Sequence, residues 1–119
     1  MKSNILERTH DHITALCRKH RVRHLYAFGS VLTPRFNDHS DIDFLVDFDT
    51  AAIPDYLTNY FELKHSLEAA LGRSVDLVEE QAIRNPIFKR NVERTKTVVY
   101  GGRNEVGKAE RPLRRLERG

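Results

Sequence analysis

The sequence predicts an α/β (α+β) fold, a small mixed β-sheet flanked by helices, and three observations carry that expectation. Short apolar runs rich in Val, Ile, Leu, Phe and Tyr alternate with longer segments of helical periodicity, the order from which strands and their covering helices are built. Gly29-Ser30, Gly72 and Gly101-Gly102 stand at the ends of such segments, where turns and helix exits need them. The chain has 119 residues, enough for one domain with a modest core.

From Asn4 to His20, the apolar residues Ile5, Leu6, Ile13, Leu16 and Cys17 recur at helical spacing, and Asn4 and Glu7 are placed as an N-cap and its reciprocal partner, so one helix is expected here. Leu25-Tyr26-Ala27-Phe28 is a short strand stopped by Gly29-Ser30, and residues 31–38, which include Pro34, form a short helix or turn and then a loop. Asp41 to Phe48 is a second strand, expected beside the first. Ile53-Pro54-Asp55 opens a long helix whose face is marked by Leu57, Tyr60, Phe61, Leu67, Ala70 and Leu71. Ser74 to Val78 is a third strand, Ala82 to Arg94 a weaker helix interrupted near Pro86, and Thr97 to Tyr100 a last short strand.

The formal charge of +3 is distributed unevenly. Residues 1–101 carry 14 basic and 14 acidic side chains, whereas residues 102–119 carry 6 and 3. Residues 1–101 therefore read as the folded domain and 102–119 as a basic tail expected to be disordered. A neutral body argues against duplex nucleic-acid binding, which uses a clustered basic face. No apolar run is long enough to span a membrane. The one cysteine, Cys17, sits at helical spacing with Ile13 and reads as a buried thiol, which fits a reducing cytoplasm. His10 and His12 are two apart in a helix and point about 200° apart, so no zinc site is implied.

The chemistry concentrates in Ser40-Asp41-Ile42-Asp43-Phe44-Leu45-Val46. In a strand, residues i and i+2 share a face, so Asp41 and Asp43 project together while Ile42, Phe44 and Val46 face the other way. Paired carboxylates need a cation, and hard divalent ions such as Mg²⁺ take oxygen ligands from a few carboxylates plus substrate phosphates. Asp76, between Val75 and Leu77 in an apolar run, needs either a partner or a rim position, and a metal shared with Asp41 and Asp43 supplies the partner. Gly29 allows close backbone approach to phosphates, and Ser30 is placed to cap the short helix and hydrogen-bond a triphosphate.

On these residues the sequence resembles the nucleotidyltransferase superfamily that includes DNA polymerase beta. Gly29-Ser30 is followed by ten residues and then Asp41-Ile42-Asp43, with Asp76 in the place of the third acidic residue. The resemblance covers residues 4–101 and is nearest to the minimal nucleotidyltransferases, often the antitoxin half of a two-gene pair. It implies the polymerase beta-like palm fold. Asp41, Asp43 and Asp76 would be the catalytic and metal-binding residues, two Mg²⁺ ions the cofactors, and ATP the substrate. AMP would pass to a tyrosine hydroxyl of a HEPN-domain ribonuclease toxin encoded by an adjacent gene, within a homo- or hetero-oligomer. One departure stands out. Where many minimal members carry Arg-Gly after the Gly-Ser pair, this chain reads Val31-Leu32-Thr33-Pro34-Arg35-Phe36, and Arg35 is assigned as the shifted phosphate-binding cation. A second reading belongs to another class, a binding module that neutralises its partner by covering it, with little or no catalysis. Small-molecule nucleotidylation is a third, for which the chain leaves no room for an acceptor domain.

Overall fold

The computed structural model describes residues 4–101. Helix α1 (Asn4–Arg8) and helix α2 (His10–Lys19) lead into strand β1 (Val22–Phe28) and a single 3-10 turn (Gly29–Leu32). Then come β2 (Ile42–Phe48), α3 (Tyr56–Leu71), β3 (Val75–Glu79), α4 (Pro86–Thr95) and β4 (Thr97–Tyr100). The four strands form one sheet in the order β3-β2-β1-β4. Strand β1 runs antiparallel to β2 and β4, and β2 runs parallel to β3, so the sheet is mixed as expected. No helix among the described residues is long and apolar enough to cross a membrane.

The first helix differs from its expectation. Thr9 interrupts it: its backbone leaves the helical region at φ −103 and ψ 8, and its hydroxyl donates to the Ile5 carbonyl at 2.6 Å beside the ordinary helical N–H bond at 3.2 Å, a back-bond of the kind that bends a helix. The cap expected between Asn4 and Glu7 rests on a side chain outside the described set, and the expected tail lies wholly outside the described residues.

Helix α3 begins where Asp55 accepts from the Thr58 N–H at 3.2 Å and ends at Gly72, which adopts φ +71. Its buried face is Leu63, Leu67 and Leu71, one turn apart from each other, with Tyr56 and Tyr60 partly buried on the same side. Leu57 and Phe61, expected on that face, are 67% and 48% exposed. They lie about 100° round the helix from Tyr56 and Tyr60, so the stripe that meets the sheet passes them by. Pro86 begins α4 rather than interrupting it: Asn85 caps the helix by accepting from the Ile87 and Phe88 N–H groups, and a proline in the first turn removes a donor that has no helical partner.

Helices α2 and α3 cover one face of the sheet, where Ile13, Leu25, Ile42, Phe44, Leu63 and Leu67 are fully buried. The alternation in β2 places Ile42, Phe44 and Val46 in this core and turns Asp43, Leu45 and Asp47 to the opposite face. There α4 supplies a thinner cover, with Val92 packed against Phe28 and Leu45 and the Phe88 ring edge-on to Phe28 at 5.9 Å. Asp43 and Asp76 lie at the end of that face where β2 and β3 begin.

Candidate active site

Strand β1 delivers Phe28 opposite Asp43 in the antiparallel register, and the chain then turns away through Gly29. Gly29 has φ +77, and a Cβ built there would overlap the Asp43 carboxylate at Oδ2. Two independent constraints therefore select glycine: a left-handed backbone and a carboxylate seated in the space a side chain would fill. The turn is tied off by Thr33, whose N–H and hydroxyl both donate to the Ser30 carbonyl at 2.9 Å. Ser30 stands inside this turn rather than at its cap. The turn begins at Gly29, and no side chain caps it.

Asp41 is exposed at the mouth of β2, Asp43 is half-buried, and Asp43 and Asp76 are register partners across the parallel β2–β3 pair. Burial pushes the Asp43 carboxyl above the usual carboxylate range, and the charges of Asp76 and Asp41 push it the same way. Asp76 takes the rim position, exposed between buried Val75 and Leu77. The three carboxylates are electrostatic neighbours, although among the described residues no three acidic, His or Cys side chains already converge as a cage around one point. The site has the excess negative charge and the all-oxygen donors that suit a hard divalent cation.

An open cleft of about 820 Å³ adjoins Gly29. Gly29, Ser30, Thr33 and Arg35 line one side of it, with Thr95 and Thr97 from the end of α4 and the start of β4 on the other. All three residues assigned to phosphate binding thus face one space. The carboxylates are not part of its lining and border it through the Gly29–Asp43 contact.

The loop between the turn and β2 is held by Arg73, which sequence reasoning passed over. Its guanidinium donates to the Asn37 and Ser40 carbonyls at 2.9 and 3.1 Å and stacks over Phe36 at 4.6 Å, so it fixes the chain one residue before Asp41. No periodicity or motif marks such a contact. Farther along the same face, Asp47 accepts from Arg23 at 3.2 Å and pairs with the His24 ring at 3.0 Å.

Residues 11–105 match the family described as polymerase beta, nucleotidyltransferase. The chain belongs to this nucleotidyltransferase family. The nucleotidyltransferase is 38% identical over 78 residues to protein adenylyltransferase MntA of Thermococcus cleftensis, an alignment covering 66% of this chain and 76% of that protein. A solved structure assigned as a minimal nucleotidyltransferase superposes with a TM-score of 0.67 at 30% identity, over 82% of this chain and 95% of the other. A chain in a solved toxin–antitoxin structure with AMP-PNP superposes with a TM-score of 0.62 at 25% identity, over 83% and 78%. The fold expected from the sequence is the fold observed.

Proposed function

We propose that the chain is a Mg²⁺-dependent nucleotidyltransferase that moves AMP from ATP to a tyrosine hydroxyl of a cognate HEPN ribonuclease toxin, acting as the antitoxin of the pair in the cytoplasm. Residues 1–101 form the catalytic domain in this reading. The observation that carries it is the seating of Asp43 against Gly29, which brings a charge-strained carboxylate pair to the edge of the cleft lined by Gly29, Ser30 and Arg35. The name of the MntA relative, a protein adenylyltransferase, and the toxin–antitoxin structure with AMP-PNP support a protein acceptor and an adenine nucleotide.

Asp41, Asp43 and Asp76 are the residues that would hold Mg²⁺, and the bound ion would offset triphosphate charge and favour the ionised acceptor hydroxyl. The chain's own part is positioning. Gly29 admits the phosphates to backbone distance, and Arg35 places a positive charge at the cleft wall. In the transfer, the acceptor oxygen bonds to the α-phosphorus as the bond to the bridging oxygen breaks; pyrophosphate leaves and the hydroxyl proton is released. Holding these groups in line is worth several kcal/mol of barrier, ~7–11 in well-oriented systems. A domain of this size offers little surface for a protein acceptor, so the partner supplies the other half of that interface.

The test is incubation of the chain with the protein of the adjacent gene, ATP and Mg²⁺, alongside an Asp41→Ala/Asp43→Ala variant, followed by intact mass. Gain of one or more AMP masses on the partner only with both aspartates present is the expected result. A stable complex without transfer would instead favour neutralisation by binding.

A further inference from the structure

Among the described residues strand β3 is an edge strand, and it carries Asp76. In a parallel pair, alternate residues of a strand direct both backbone groups to the neighbour, while those between direct theirs to the free edge. The Ile42 N–H donates to the Ser74 carbonyl at 3.1 Å, which sets the parity: Ser74 and Asp76 face β2, and Val75 and Leu77 face outward. An edge of this kind presents unpaired groups and is the least constrained part of a sheet.

Two side chains of α3 close that edge on either side of Asp76. The Glu68 carboxylate accepts the Val75 N–H at 3.1 Å and is itself held by Lys64 at 3.0 Å. The Tyr60 hydroxyl donates to the Leu77 carbonyl at 2.5 Å. Glu68 and Tyr60 are eight residues apart on one helix, a little over two turns, so both reach the same strand edge from α3. The donor meets a carbonyl and the acceptor meets an N–H, so one outward group of each residue flanking Asp76 is satisfied with the right polarity.

We propose that Glu68 and Tyr60 are positioning residues that hold β3 at the register in which Asp76 stands beside Asp43. The inference rests on the reading of the three aspartates as the metal and nucleotide site. Its consequence is that α3, whose helical face otherwise only builds the core, also sets the geometry of the third carboxylate from behind the sheet. Neither residue lines the cleft beside Gly29.

The test uses the full chain with Glu68→Ala, Glu68→Gln and Tyr60→Phe, read by amide hydrogen exchange and by Mn²⁺ binding in calorimetry. Glu68→Ala is expected to raise exchange at Val75 about tenfold, the effect of losing one hydrogen bond of ordinary strength. Glu68→Ala and Tyr60→Phe are each expected to weaken Mn²⁺ binding about tenfold, the low end of what removal of an orienting group costs a metal site. Glu68→Gln retains an acceptor oxygen and should restore both readouts most of the way. An Ile13→Val variant, destabilised in the core away from the site, should leave Mn²⁺ binding unchanged. Unchanged exchange in Glu68→Ala overturns the proposal, as does unaltered Mn²⁺ affinity in both Glu68→Ala and Tyr60→Phe. If an Asp43→Ala variant binds Mn²⁺ as tightly as the unsubstituted chain, the reading of the aspartates fails instead, and exchange at Val75 alone then decides whether the clasp exists.

Discussion

Two glycines in this chain make a matched pair. Gly29 and Gly72 both adopt left-handed backbone, with φ +77 and +71, but a Cβ on Gly72 meets nothing within 4 Å while one on Gly29 overlaps the Asp43 carboxylate. Alanine at either position incurs the left-handed penalty of roughly 1–2 kcal/mol. In a domain of this size that lowers the melting temperature by roughly 4–15 °C. The two variants should therefore melt at similar temperatures, with Gly29→Ala at most a few degrees lower, because the overlapping atom is the end of a side chain that can rotate away. Rotation is what the site cannot accommodate. A displaced Asp43 loses its place beside Asp76 and at the cleft edge, and AMP transfer should fall at least 100-fold in Gly29→Ala, a loss typical of misplacing one group by about 1 Å. Gly72→Ala should transfer AMP at close to the unsubstituted rate at a temperature where both are folded. Differential scanning fluorimetry and transfer measured by intact mass make the comparison. Full activity in Gly29→Ala, or equal loss in both, would refute the argument that Gly29 is selected by the carboxylate.

Further outcomes follow from the packing and charge. Leu63→Ala should cost about 2–5 kcal/mol because Leu63 is fully buried, whereas Leu57→Ala should stay within about 0.5 kcal/mol; urea unfolding of the two reads the difference directly. Burial tends to raise the Asp47 carboxyl, but hydrogen bonds from His24 and Arg23 outweigh it and hold the group below its ordinary value of 3.8. Its contribution is therefore complete above the unfolded value and lost as pH falls through the lower folded one, so below pH 4 the unsubstituted chain should lose more stability than Asp47→Asn, by at most about 1 kcal/mol because the partner Arg23 is largely exposed. Cys17 is fully buried, so a thiol reagent should modify it only in denaturant; rapid modification of the native protein would contradict the placement of α2. Arg73→Ala should loosen the loop before Asp41 and reduce transfer several-fold, with added flexibility confined to residues 33–41 in hydrogen exchange.

What could be read from the sequence was what is local or periodic. Gly29-Ser30 and Asp41-x-Asp43 form a motif of types and spacing, and β4 was bounded at Thr97 and Tyr100 by the apolar run itself. Asp76 was legible because a charge inside an apolar run demands a reason. The break at Thr9 was not, since a β-branched hydroxyl in a helix gives no warning that it will compete for the Ile5 carbonyl. On α3 the sequence places Tyr60, Leu67 and Leu71 on the inner face but also draws in Leu57 and Phe61, apolar yet turned outward, and passes over buried Leu63, because only packing against the sheet decides which stripe is inside. Arg73, Glu68 and Tyr60 leave no mark of their contacts in the sequence for a different reason. They act on backbone carbonyls and N–H groups, and any residue at the receiving position offers the same groups.

The parallel β2–α3–β3 unit has a practical corollary. Asp41, Asp43 and Asp76 lie where the two strands begin, whereas the connection from β2 into α3, residues 49–55, leaves from the opposite end of a seven-residue strand. At about 3.3 Å per residue the end of the strand is ~17 Å from Asp43. Thr50, Ala51, Ala52 and Pro54 are exposed there. A fluorophore or affinity peptide grafted at this end would report on the molecule without entering its chemistry, and a library of insertions should tolerate length at residues 50–54 while rejecting it between Gly29 and Asp43.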